Sequence, residues 1–361
     1  MFLVMPALVL SQGTPPSQSQ GTAQGTAQGS GQGTVQGSGP RPAVLFTTGP
    51  SRLPRRLADV VMTIPPDNPQ TDAKIALGKR LFFSKDLSID RTVSCATCHD
   101  PERAFADAKP LAVGVEGRVG RRNSPSLVNR GLGRLHFWDG RAATLEAQAV
   151  QPISDPNEMA LPMTDLIARL NADASYRADF EAVFARPVSS DDVGRAIASY
   201  MRTIRSGDSP FDRFVDGATD ALSPEAQAGL TIFRGKARCV FCHREPLFTD
   251  ESFHNTGVAW RATAEPNQAG SFQDVGRVEF SRNERDRGAF KAPTLREVAR
   301  TAPYMHDGSL ATLNDVIDFY DGGGRQNPNL TQIIRPIGLS AVEKNNLIAF
   351  LQSLSGTVSG K

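Results

Sequence analysis

The sequence predicts a mainly α-helical protein of two modules packed against each other, with little β structure. Three observations predict it. The chain has 361 residues, enough for about two domains. Apolar residues recur at helical spacing along much of it, whereas alternating strand patterns are weak. One arrangement also occurs twice: a helix-like stretch ending in Leu81-Phe82 or Ile232-Phe233, then Cys-x-x-Cys-His. A duplicated helical module joined near Gly207 is the economical reading.

The elements follow in order. Residues 1–10, MFLVMPALVL, are apolar but too short to span a bilayer. They look like the h-region of a secretory signal without its basic n-region, since the first Lys or Arg is Arg41. A signal remnant is the favoured reading, and a weak N-terminal membrane tether the alternative. Residues 11–53 read as a linker. Its QGT and QGS repeats over 12–39 carry no charge and cannot bury enough surface to offset ordering entropy. Folding then starts near Pro54 or Ala58, with an N-terminal module over 54–206 and a C-terminal one over 207–339. Residues 340–356 form a last helix expected to complete the N-terminal module.

Within the first module, residues 73–83 read as a helix with Leu77 and Leu81 four apart and Asp72 as its cap. Residues 165–170 and 176–184 give two short helices. Residues 191–204 place Val193, Ile197, Met201 and Ile204 on one face. In the second module, Ser223-Pro224 is a cap followed by proline at the first helical position. That helix runs to Phe233 and stops at Gly235. Residues 313–320 are helical and end before three glycines, 322–324. Ser340-x-x-Glu343 is a capping box ahead of Leu347, Phe350, Leu351 and Leu354. All these apolar stripes are read as core.

The chemistry resides in the duplicated motif, Cys95-Ala96-Thr97-Cys98-His99 and Cys239-Val240-Phe241-Cys242-His243. It uses all four cysteines of the chain. This is the attachment signature of c-type haem: each thiol forms a thioether to a vinyl group, and the histidine reaches the iron. Zinc is the plain rival, but it needs four converging ligands and each cluster offers three. Each module is then a cytochrome c-like haem domain. The net charge of +2 gives no pointer to nucleic acid.

Other stretches carry more. Phe137-Trp138-Asp139-Gly140-Arg141 is followed by Gln148, Gln151-Pro152-Ile153 and Asn157-Glu158-Met159. Later come the stretches 248–257, beginning Phe-Thr-Asp-Glu, and Phe290-Lys291-Ala292-Pro293-Thr294-Leu295-Arg296. Last is Thr301-Ala302-Pro303-Tyr304-Met305-His306-Asp307-Gly308. With the two haem motifs, this ordered set resembles the bacterial di-haem cytochrome c peroxidase and MauG superfamily over roughly residues 70–355.

The resemblance implies roles. Many such peroxidases cap the first iron with a histidine in the loop after the first motif. The matching position is Val115, and residues 100–129 hold no histidine, so the His99 iron is expected to be open to peroxide. Glu158 matches the catalytic glutamate, a base for the peroxide proton; the plain alternative is a surface or capping carboxylate. Gln148 and Pro152 match distal-pocket residues of the MauG-like branch. Where ordinary members carry a ligating methionine, fourteen residues after His306, this chain has Tyr320. That implies a Tyr-ligated second iron of lowered potential, with Met305 as rival ligand. Trp138 matches a relay residue between the haems. Asn123, Thr301 and Pro303 match a calcium site, which oxygen ligands suit. His136, His254 and His306 are left as structural or propionate-contacting.

The expected function is a periplasmic di-haem peroxidase. Hydrogen peroxide reacts at the His99 haem, and a protein partner is oxidised through the His243/Tyr320 haem. The partner is a substrate whose tryptophans are modified, as in MauG, or a small cytochrome or cupredoxin donor in peroxide detoxification. A non-enzymatic electron-transfer cytochrome is the third possibility, and the missing loop histidine speaks against it.

Overall fold

Thr71, not Asp72, caps the helix Asp72–Phe83: its side chain accepts from the Lys74 N–H, and Asp72 sits in the first turn, where its charge suits the helix dipole. This helix is the first regular element in a computed structural model that describes residues 60–263 and 270–361. The apolar segment 1–10, the linker 11–53 and the expected start at Pro54 or Ala58 lie outside the described residues. The other expected helices are present, as Met163–Ala172, Ala174–Phe184, Ser190–Met201, Pro224–Arg234, Leu313–Asp321 and Ala341–Gln352. Ser340 and Glu343 form the capping box. Besides the four-residue helices Cys95–Cys98 and Val278–Ser281, two longer helices escaped the sequence reading. Leu145–Ser154 carries Pro152 inside it, which masks the pattern. Pro210–Val215 is too short to show a period. Sheet is minimal: three two-stranded antiparallel pairs among the described residues. No described helix is long and apolar enough to cross a membrane.

Two cores form, and the same packing unit builds each. In the first, helices Asp72–Phe83 and Ser190–Met201 cross at Gly78, where an added Cβ would fall 1.9 Å from the Ala196 carbonyl oxygen and 3.0 Å from Tyr200 Cβ. In the second, Pro224–Arg234 and Ala341–Gln352 cross at Gly229, where a Cβ would fall 1.9 Å from the Asn346 carbonyl oxygen and 2.8 Å from Phe350 Cβ. Only glycine allows such backbone approach. One turn beyond each glycine, Phe82 meets Tyr200 at 5.1 Å and Phe233 meets Phe350 at 5.0 Å between ring centroids. Phe82 also meets Phe105 at 6.1 Å, and Phe233 meets Phe248 at 6.0 Å.

This repeat corrects one expectation. The last helix does not complete the N-terminal module: Leu347, Phe350, Leu351 and Leu354 belong to the second core, with Phe233 and Phe248. It is the second module's counterpart of Ser190–Met201, seated by Gly229. Only the tail beyond it returns, pairing Thr357–Val358 with Ser206–Gly207 and placing Val358 in the first core.

Candidate active site

Each Cys-x-x-Cys-His motif follows its glycine-bearing helix and lines its own cavity. Cys95, Cys98 and His99 line the first, and Cys239, Cys242 and His243 line the second. The two histidines are held identically. His99 Nδ1 donates to the Phe105 carbonyl at 3.1 Å, and His243 Nδ1 to the Phe248 carbonyl at 3.0 Å. Both acceptor phenylalanines have left-handed backbone, φ 55° and 54°, which turns each carbonyl back toward its histidine. With Nδ1 donating, Nε2 keeps its lone pair for a metal. Burial lowers both imidazole pKa values and so favours the neutral, ligating form. Burial likewise pushes Cys95 and Cys239 up to about 12, and Cys98 and Cys242 to about 11.

The first cavity also collects Glu158, Gln148, Pro152, Trp138, Asn123, Thr301 and Pro303. Gln148 and Pro152 project together from the helix Leu145–Ser154, four residues apart. The Gln148 Oε1 is buried without a partner. Glu158 follows that helix, and no described residue hydrogen-bonds its carboxylate. Its pKa rises to about 7, mainly by burial and secondarily by Asp155, with Arg141 opposing. Val115 is fully buried and is not among the residues lining the cavity. Asn123 donates Nδ2 to the Lys109 carbonyl at 2.9 Å, which leaves Oδ1 free to accept. Its own carbonyl accepts from Trp138 Nε1 at 2.9 Å. His136 lines this cavity too.

Tyr320 lines the second cavity with His243, His254 and His306. Burial raises its phenol pKa, with Cys242 and Cys239 adding to it, and the hydroxyl has no hydrogen-bond partner among the described residues. By contrast, the Tyr200 hydroxyl donates to the Gly360 carbonyl and the Tyr304 hydroxyl to the Val298 carbonyl. His254 pairs with Asp250 at 2.8 Å, and His306 stacks on Phe290. Six residues line both cavities and form their common wall: Trp138, Lys291, Pro293, Val298, Tyr304 and Met305. Met305, the rival ligand, thus stands in the wall.

Residues 72–220 match the di-haem cytochrome c peroxidase family. The methylamine utilization protein MauG of Methylorubrum extorquens is 40% identical over 294 residues, 80% of this chain and 80% of that protein. Cytochrome-c peroxidase IdrP1 of Pseudomonas sp. strain SCT is 35% identical over 322 residues, covering 81% and 83%. The solved structure of a MauG-like protein associated with microbial copper homeostasis superposes with a TM-score of 0.73 at 34% identity, over 82% of this chain and 94% of that one.

The chain belongs to the di-haem cytochrome c peroxidase family.

Members are oxidoreductases of the peroxidase type, and the family implies two haems. The cavities of this family member fit such groups. Each presents two thiols and a neutral imidazole at one side, and unpartnered polar atoms at Gln148 or Tyr320 that a bound group would face. Zinc fits less well. The only group of three metal-binding side chains in reach of one another among the described residues, Cys242, Asp250 and His254, leaves out Cys239 and His243. The sequence reading assigned nothing to Lys291, Arg130 and Glu251, which meet at the common wall. No local pattern relates them to one another, because they are far apart in the chain.

Proposed function

We propose that this protein is a periplasmic peroxidase that reduces hydrogen peroxide in the first cavity and draws electrons from a protein partner through the second. The observation that carries the reading is Glu158, a carboxyl poised near neutral pH and without a partner, in the same cavity as His99. Covalent haem held by Cys95, Cys98 and His99, and by Cys239, Cys242 and His243, would supply redox-active iron. Glu158 takes the proton from one peroxide oxygen and returns it to the other as the O–O bond breaks, so that water leaves. Gln148 and Pro152 shape the distal side. Trp138, in the common wall, relays electrons between the modules. Asn123, Thr301 and Pro303 hold a calcium ion through oxygen atoms. The first module, 54–206, is the peroxide module. The second, 207–339 with the last helix, is the electron-transfer module, where His243 and Tyr320, which line one cavity, would both hold the iron.

A second reading keeps the peroxide chemistry and makes the partner a protein whose tryptophans are oxidised. Tyr320 favours it, since an anionic oxygen ligand stabilises higher oxidation states.

The test is Glu158→Gln in stopped-flow mixing of the oxidised protein with peroxide. The near-isosteric change keeps both haem spectra and slows the peroxide step by about 10²–10⁴-fold. A variant as fast as wild type removes Glu158 from the mechanism. A wild type inert to peroxide leaves the electron carrier standing.

A further inference from the structure

Of the six residues in the common wall, Lys291 alone carries a charge. Its side chain is only 8% exposed. It sits in the two-stranded pair Phe253–His254 with Phe290–Lys291, and its backbone N–H donates to the Trp138 carbonyl at 2.8 Å. The ammonium has one carboxylate neighbour, Glu251, at 3.7 Å, beyond hydrogen-bond range. Glu251 is already occupied. Arg130 donates to both of its oxygens, at 2.6 and 3.2 Å, and the Arg134 N–H donates at 3.2 Å.

The charges around this wall do not cancel. Arg130 and Lys291 are positive and Glu251 is negative. Arg202 behind them is paired with Glu146 at 2.6 Å. His136 is kept neutral, its pKa lowered to about 3 by burial and by the neighbouring cations. One positive charge is left over in a desolvated place, which is costly unless an anion meets it. Burial and Arg130 together bring the Lys291 pKa down to about 7, the mark of a cation lacking its counter-ion. Lys291 lines both cavities, and a tetrapyrrole bound there would bring carboxylates as its own anionic groups.

We propose that Lys291, backed by Arg130, is the anchoring cation for a haem carboxylate at the wall shared by the two cavities. It acts as a positioning residue and also sets the electrostatic level of the haem it holds. The proposal rests on the reading that both cavities bind haem.

Potentiometric titration of the holoprotein tests it. Intact mass and the pyridine haemochrome of the wild type first establish two haems; their absence would overturn the haem reading itself. Lys291→Met removes the charge at similar length. The one-electron reduction equilibrium of at least one haem then falls about tenfold, a shift of about 59 mV to lower potential. Lys291→Arg keeps the charge and restores the wild-type value. Unchanged or raised potentials in Lys291→Met overturn the proposal, as does an equal fall in both variants, which would mean lost packing. If Lys291→Met does not mature, Glu251→Gln decides. Removing the competing carboxylate raises the potential of the same haem, and no rise overturns the proposal.

Discussion

The Val115 N–H donates to the Glu158 carbonyl at 2.9 Å. The loop after the first Cys-x-x-Cys-His motif is thereby tied to the segment that carries the candidate base. The neighbouring Gly114 makes the approach possible: a Cβ there would lie 2.2 Å from the same Glu158 oxygen.

Gly114→Ala should therefore displace Glu158. The clash is with backbone on both sides, so the loop must move. Overpacking of this kind costs about 1–3 kcal/mol. Thermal unfolding should show that loss, and stopped-flow mixing with peroxide should show a slower reaction. A variant with wild-type stability and rate would mean that the loop does not position Glu158.

The peroxide rate should rise with pH and level off above about 7, as Glu158 ionises. Glu158→Gln should abolish that step. The same burial affects stability. The folded-state pKa lies above the unfolded value of about 4.3, so the folded protein binds the extra proton. The wild type loses stability as pH rises between those two values. Denaturant melts across that window should give a smaller pH slope for Glu158→Gln; equal slopes would place the raised pKa elsewhere.

Electron paramagnetic resonance of the oxidised holoprotein should show one high-spin and one low-spin haem. His99 faces a cavity where Val115 supplies no ligand, whereas His243 shares its cavity with Tyr320. Tyr320→Phe should convert the low-spin signal. Two low-spin haems in the wild type would point to His136 as an unexpected ligand in the first cavity. A near-infrared band of Met-ligated ferric haem would replace Tyr320 with Met305.

Gly229→Ala should destabilise the second module. Alanine favours a helix interior by about 1 kcal/mol over glycine. Here its Cβ would meet the Asn346 carbonyl oxygen at 1.9 Å, so the helices must part, and overpacking of about 1–3 kcal/mol outweighs the propensity gain. Chemical denaturation should report a net loss. A gain would mean that the last helix is not seated at Gly229.

The sequence by itself determined the two haem motifs, the helices flanking them and the ordered residues that mark the family. Those signals are local: a fixed Cys-x-x-Cys-His spacing, caps such as Ser340 with Glu343, and apolar residues four apart. The tertiary structure decided the rest. It assigned the last helix to the second module, because Gly229 meets Asn346 across more than a hundred residues, a contact with no local period. It revealed the helix around Pro152, whose proline hides its pattern. It brought Trp138 and Lys291, from opposite halves of the chain, into one wall between two cavities. It also raised the Glu158 pKa toward neutrality, since burial is a property of the packed molecule and not of the glutamate.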